Sequence, residues 1–277
     1  MRRGMILDHL TVLSARPLDL VAAASEAGFD GVGLFLRGMH EVAGMPDFDL
    51  TADVVSRRDC RRAAADAGCR IAVAYPFTVT GASRPDDFLP ALDAAAEIRT
   101  ESINILAYDS ETARCGEAIA SLCAAAAARG LSAAIEFFPI SAIRSLDDAI
   151  RLCEAVDKGL KVNVDLLHLA RSGSDIAQVR THRDLISLVQ LCDAPHAAPA
   201  DLFAEASHQR LLPGDGELDC LALIEACGDD VQMSIEAPTA DAVDLHPVVV
   251  AKRAYAAADR LFRCDLPLSS PIARSMS

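Results

Sequence analysis

The 277-residue chain has no tryptophan, three tyrosines and only three lysines, Lys158, Lys161 and Lys252. With so few lysines and no arginine-rich stripe, nothing offsets the formal charge of −14, set by 40 acidic against 26 basic residues. A field of that sign repels a phosphodiester backbone, so nucleic acid is excluded as a partner. The clustered Arg57, Arg58, Arg61 and Arg62 share their segment with Asp53, Asp59 and Asp66 and read as a solvated helix face. No apolar run approaches the roughly 20 residues of a membrane-spanning helix. The opening MRRGMILDHLTVLSAR lacks the apolar core of a signal peptide. Nine cysteines occur without a C-x-x-C pair. Their odd number and irregular spacing predict reduced thiols used for packing, in a cytoplasmic protein. There is no internal repeat, and no glycine-rich phosphate turn follows an early strand. Gly31 and Gly33 in DGVGLFL are strand and turn punctuation, not a dinucleotide fingerprint.

What is present is alternation. Eight apolar runs predict strands near Met5–Leu13, Gly31–Leu36, Arg70–Tyr75, Ser102–Ala107, Ser132–Phe138, Leu160–Asp165, Leu185–Leu191 and Val231–Glu236. Helical segments fall between them, at Leu18–Ala27, Ala52–Ala67, Asp87–Arg99, Thr112–Arg129, Ser145–Val156, Ser174–Arg180 and Leu218–Ala226. A last one runs over Pro247–Phe262. Several close on glycine, as in SEAGFDGV, ADAGCRI and AARGLSA. Helix, glycine, strand, repeated eight times, predicts a parallel sheet, and about 250 residues is the usual size of one closed (β/α)8 barrel. The expected organisation is one barrel over residues 1–264 and a C-terminal tail over 265–277 that frays or packs on a neighbouring subunit. The segments Arg37–Leu50 and Ala194–Arg210 are expected as long loops at the mouth that decide substrate size.

Four of these strands end alike. Glu136 closes LSAAIE, Asp165 closes LKVNVD, Gln190 lies near the end of LISLVQL, and Glu236 closes VQMSIE. An apolar strand gains nothing from a buried terminal carboxylate without a partner, because an unpaired buried charge costs several kcal/mol or more. In a parallel barrel all four ends face the same C-terminal mouth, where such barrels keep their chemistry. Alone, any one of them reads better as a salt-bridged strand end; four at successive strand ends favour a shared metal.

At this point a resemblance becomes specific. VDLLHLARSG resembles the D-x-x-H element of the xylose isomerase-like barrel superfamily, whose members include sugar isomerases and epimerases, inosose and dehydroshikimate dehydratases, and family IV endonucleases. IEFFP resembles its first metal-binding glutamate strand and MSIEAP its last. VQLCD resembles its seventh-strand V-H-x-x-D element with glutamine in place of histidine, and RLLPGDGELD resembles the arginine and P-G-x-G loop that follow. The resemblance implies a metal site of Glu136, Asp165, Gln190 and Glu236. An all-oxygen shell of that kind suits Mg²⁺ or Mn²⁺ better than Zn²⁺. It further implies Glu136 and Glu236 as an acid/base pair, His168 as general base or substrate contact, and Arg210 as a fork of donors to the substrate. Some members of the dehydroshikimate dehydratase branch also carry glutamine at the position of Gln190. The endonuclease branch needs more histidines and a less acidic surface.

The function expected is metal-dependent proton abstraction beside the carbonyl of a small, carbohydrate-like polyhydroxylated substrate, ending in isomerisation or epimerisation. Dehydration is the first alternative and a non-catalytic binding barrel the second. Each side chain also has a plainer reading: His168 as a packing histidine, Arg210 as a surface partner of Asp215 or Glu217, and Asp193 as a loop cap and not an orienter of Gln190. His9, His40 and Tyr75 near the first strands read as structural before catalytic. Barrels of this kind often pair through outer helices, so a homo-oligomer is allowed.

Overall fold

Eight strands pair in chain order, each parallel to the next, and the last returns to the first to close a barrel. They are β1 (Met5–Asp8), β2 (Gly31–Phe35), β3 (Arg70–Val79), β4 (Ser102–Ala107), β5 (Ser132–Glu136), β6 (Lys161–Asp165), β7 (Ile186–Leu191) and β8 (Gln232–Ile235). The structure is a computed structural model and describes residues 4–39, 42–156 and 159–264. Ten α-helices lie among the described residues: α1 (Pro17–Ala27), α2 (Val54–Asp66), α3 (Leu89–Glu97), α4 (Thr112–Ala127), α5 (Leu146–Val156), α6 (Leu166–Ser172), α7 (Ile176–Thr181), α8 (Leu202–His208), α9 (Cys220–Cys227) and α10 (Pro247–Cys264). The expected (β/α)8 architecture is therefore the observed one.

Register places the mouth. Paired residues of parallel strands point to the same face, and every second residue shares it. Glu136 pairs with Asn163, Asp165 with Gln190, Gln190 with Ser234, and Ser234 with Ile6. Two residues beyond Asn163, Ser234 and Ile6 come Asp165, Glu236 and Asp8. All of these therefore face the barrel axis, the carboxylates at its C-terminal end. Beneath and beside them Ile6, Val73 and Leu188 pack with Phe35 and Tyr75. The larger core lies outside the barrel, where leucine, isoleucine and alanine faces of the helices cover the sheet.

Gly33 on β2 has a steric reason. A Cβ there would stand 2.7 Å from Asp8 Oδ2 and 3.0 Å from a ring carbon of Tyr75, so only glycine leaves room for that pair.

Several expected boundaries move. β1 ends at Asp8, not Leu13, because the Asp8 carboxylate caps a 3-10 turn over His9–Val12, accepting from the Leu10 amide at 3.2 Å. β3 runs past Tyr75 to Val79 through a cis Tyr75–Pro76 bond. Leu166–Ser172 and Leu202–His208, neither expected as helical, form α6 and α8, each capped by an aspartate at its N-terminus. The Ala194–Arg210 segment is thus part helix. Cys60, Cys69, Cys115, Cys123, Cys153, Cys192, Cys220 and Cys227 are all buried and none of them is in a disulfide. Among the described residues no helix is long and apolar enough to cross a membrane. His40, Lys158 and the 265–277 tail lie outside the described residues.

Candidate active site

β6 turns straight into α6, and this junction explains the D-x-x-H spacing. Asp165 is the N-cap of α6, its Oδ1 accepting from the His168 amide at 3.0 Å, which sets the His168 ring on the first turn above the mouth. The ring stacks on Phe138 at 4.2 Å between centroids. His168 Nε2 stands 3.3 Å from Glu136 Oε1, while Nδ1 is buried without a hydrogen bond, 3.9 Å from Asp165 Oδ1. Glu136, Asp165 and His168 offer ligand atoms within 4.8 Å of one another.

Arg210 arrives from the far side of the mouth. Its Nε donates to the Ala206 carbonyl at the end of α8 (2.8 Å), which aims the guanidinium inward. Nη1 donates to Asp165 Oδ2 at 2.5 Å and Nη2 lies 3.0 Å from Glu236 Oε2. Gln190 Nε2 donates to the other Glu236 oxygen at 2.8 Å, and the Gln190 carbonyl accepts from Asn163 at 2.6 Å. Across the mouth the Tyr75 hydroxyl donates to Asp8 Oδ2 at 2.6 Å. All of these side chains are buried.

The electrostatics follow from four carboxylates and one guanidinium. Burial alone would raise Asp165, but the Arg210 charge, then His168, holds it down at about 2. Burial pushes Asp8 up to about 6, although the Tyr75 hydrogen bond pulls the other way. Glu236 is pushed well above the usual carboxylate range by burial and then by the Asp8 charge, beyond what Arg210 offsets. His9 is held down at about 4 by burial; its Nε2 donates to the Ala15 carbonyl and its Nδ1 accepts from the Phe35 amide. One guanidinium does not offset four carboxylates, which is why Asp8 and Glu236 are pushed up, and the cluster also holds an imidazole nitrogen that makes no hydrogen bond. Such a donor set fits a divalent cation.

The expected residues are therefore brought together, with differences. Glu136, Asp165, Gln190 and Glu236 share the mouth, but Gln190 turns its nitrogen, not its oxygen, toward Glu236. His168 joins Glu136 and Asp165, so the cluster is not purely oxygen. Arg210 is buried and pairs with Asp165 and Glu236, not with surface Asp215 or Glu217; Asp215 pairs instead with Arg260. Asp193 is a loop cap, accepting from the amides of Ala194, Gly214 and Leu218. His9 is structural. Asp8, Asn104 and Asn163 were not anticipated. Asp8 carries the same signal as Glu136, Asp165 and Glu236, an apolar strand ending in a carboxylate, hidden by the largely apolar Leu10–Leu13 that follows.

Residues 21–260 match the family described as xylose isomerase-like TIM barrel. No curated protein matches the chain at a significant level. Among solved structures, a xylose isomerase-like TIM barrel/4-hydroxyphenylpyruvate dioxygenase fusion protein aligns with 99% of this chain at 22% identity and a TM-score of 0.74. The chain spans 46% of that protein's length. An IolI protein with a bound zinc atom aligns over 93% of this chain and 97% of its own, at 14% identity and a TM-score of 0.77. The probable 3-DHS dehydratase AsbF of Bacillus anthracis aligns over 92% and 98%, at 18% identity and a TM-score of 0.70. At these identities the likeness to solved structures is one of fold.

Proposed function

The chain belongs to the xylose isomerase-like TIM barrel family, and from that premise we propose that it is a divalent-metal-dependent enzyme removing a proton beside the carbonyl of a small polyhydroxylated compound. The observation that carries this reading is the convergence of Glu136, Asp165, Glu236 and His168 around a single arginine at the C-terminal mouth. Glu136, Asp165 and Glu236 would hold Mg²⁺ or Mn²⁺, with Gln190 behind Glu236 and His168 beside Glu136. Bound there, the cation supplies Lewis-acid polarisation of a carbonyl.

The chain's own groups do the rest. His168 is the proton acceptor: Nδ1 makes no hydrogen bond, and Glu136 at Nε2, with Asp165 3.9 Å from Nδ1, stabilises the imidazolium that forms. Phe138 keeps one face of that ring dry and fixes its plane. Arg210 holds Asp165 ionised and orients both Asp165 and Glu236. Four of its five N–H groups point at Ala206, Asp165 and Glu236, so it positions carboxylates more than it grips substrate. Glu236 is committed to Arg210 and Gln190, which leaves Glu136 with His168 as the pair able to move a proton.

A single base suffices to carry a proton to the adjacent carbon, and isomerisation is the first reaction class. Epimerisation, which needs a base on each face, fits less well with Glu236 pinned. Dehydration also needs one base, and Gln190, shared with members of the dehydroshikimate dehydratase branch, favours it as the second reading. Ketoses, inososes and dehydroshikimate incubated with Mn²⁺-loaded protein in D₂O separate the outcomes. Deuterium entering a ketose without loss of water supports isomerisation. A strongly ultraviolet-absorbing aromatic product from dehydroshikimate makes the protein a lyase. No exchange or elimination with any of them rejects both readings and leaves a binding barrel.

A further inference from the structure

Below the mouth, barrels of this type are filled by branched apolar side chains. Here the layer under the carboxylates contains amides. Asn104 on β4 and Asn163 on β6 are 2% and 0% exposed. Asn104 Nδ2 donates to Glu136 Oε2 at 2.5 Å. Asn163 Nδ2 donates both to Asn104 Oδ1 (3.1 Å) and to Gln190 Oε1 (2.6 Å). Gln190 Nε2 in turn donates to Glu236 Oε1 at 2.8 Å and lies 3.4 Å from the Tyr75 hydroxyl. One chain of contacts thus joins β5, β4, β6, β7 and β8 under the site.

The direction of this chain is fixed at one end. A carboxylate oxygen accepts from an amide nitrogen, so Asn104 presents its nitrogen to Glu136 and its oxygen to Asn163. Asn163 must then present nitrogen to both neighbours, and Gln190 must answer with oxygen. That leaves the Gln190 nitrogen for Glu236. Reversing any one amide sets oxygen against oxygen or nitrogen against nitrogen. The spare atom agrees: Asn163 Oδ1 is buried with no protein partner, as expected when its nitrogen makes both contacts.

We infer that Asn104 and Asn163 are positioning residues that fix Glu136 and Gln190 as one unit. Neither is a catalytic residue. Asn104 ties down one Glu136 oxygen so that the other faces His168, and Asn163 carries that orientation to Gln190, two strands away. An apolar pair would pack this layer equally well and would leave both functional side chains free to turn.

The test uses the full chain with Asn104→Leu, Asn163→Leu and the double variant. In metal-free protein, the side-chain amide protons of Gln190 are followed by hydrogen exchange. They should exchange at least about tenfold faster in Asn163→Leu. They should also quicken in Asn104→Leu, although Asn104 does not touch Gln190. Mn²⁺ affinity should fall by about ten- to a hundredfold in Asn104→Leu, the usual effect of losing a partner behind a ligand. The double variant should be no more than about twofold weaker than Asn104→Leu, because the two losses act through one chain.

Unchanged Gln190 exchange in Asn104→Leu, or affinity losses that simply multiply, would overturn the inference and reduce both asparagines to packing. The metal arm rests on the proposed function and the exchange arm does not. A wild-type chain that binds no Mn²⁺ but shows the coupled exchange rejects the metal reading and sustains the amide chain. If Asn163→Leu fails to fold, Asn163→Ser, with one donor at most, should give an intermediate gain in exchange, and no gain there counts against the inference.

Discussion

The mouth of the barrel has two unlike halves. On the β1–β3 side, Asp8, His9 and Tyr75 sit among Phe35, Phe48, Met39 and Met45, and burial drives the ionisable groups toward neutrality. On the β5–β8 side, Glu136, Asp165, Glu236, Arg210 and His168 lie in contact with one another, and Asp165 is held ionised by the arginine beside it. Both halves are equally buried. What differs is the partner: backbone groups and a phenol on one side, opposite charges on the other. Burial alone therefore does not make a reactive site; uncompensated charge within reach of a proton acceptor does.

The largest expected effect comes from the charged half. Arg210→Ala leaves Asp165 and Glu236 buried without their cation, and should lower unfolding stability by about 3–5 kcal/mol, measured by urea denaturation. Saturating Mn²⁺ should restore part of that loss by binding only the folded chain. A cost below about 1 kcal/mol would mean that Arg210 is a free substrate fork after all.

The neutral half should answer to pH. His9 is held at about 4 against an ordinary 6.5, so between those values the unfolded chain takes up a proton that the folded chain refuses. Its presence therefore lowers stability as pH falls from about 6.5 toward 4, by up to about 3 kcal/mol. Asp8, held at about 6 against 3.8, acts the opposite way and loses stability as pH rises through that window. Comparing wild type with His9→Gln isolates the histidine: the cost of the substitution at pH 7 should shrink by about 3 kcal/mol at pH 4. A cost independent of pH would show that His9 titrates normally.

A smaller effect is expected from Tyr75→Phe, which removes the hydroxyl that donates to Asp8. It should cost about 1–2 kcal/mol and raise Asp8 further, followed by thermal unfolding and by carboxyl titration in NMR. An unshifted Asp8 would break the claim that the phenol moderates it.

The charged half was far more legible in the sequence than the neutral one, for a physical reason. At β5, β6 and β8 a carboxylate closes an apolar run and a turn follows, so Glu136, Asp165 and Glu236 stand out. At β1 the same carboxylate is followed by His9–Leu13, whose Leu10, Val12 and Leu13 extend the apolar pattern past Asp8 and hide the strand end. Its role as the cap of a 3-10 turn marks the true end. The two missed helices had signals too: Asp165 with Gly173 brackets α6, and Asp201 caps α8, but each is only 7 residues long and carries little periodicity. Arg210 is legible as a site residue from its motif, whereas its carboxylate partners are not: Asp215 and Glu217, the rival partners, are near in sequence, while Asp165 is near only in space. The amide chain was not readable at all, since Asn104 and Asn163 meet only when β4 to β7 are in register.

The measurement that bears most directly on this contrast is Mn²⁺ binding by electron paramagnetic resonance to wild type, Asp8→Asn and Glu136→Gln, each confirmed as folded. Wild type and Asp8→Asn should each bind one Mn²⁺ per chain, and Glu136→Gln should bind at least about tenfold more weakly. Equal binding by Glu136→Gln and wild type, or no binding by any of the three, would contradict the assignment of a metal to the β5–β8 half of the mouth.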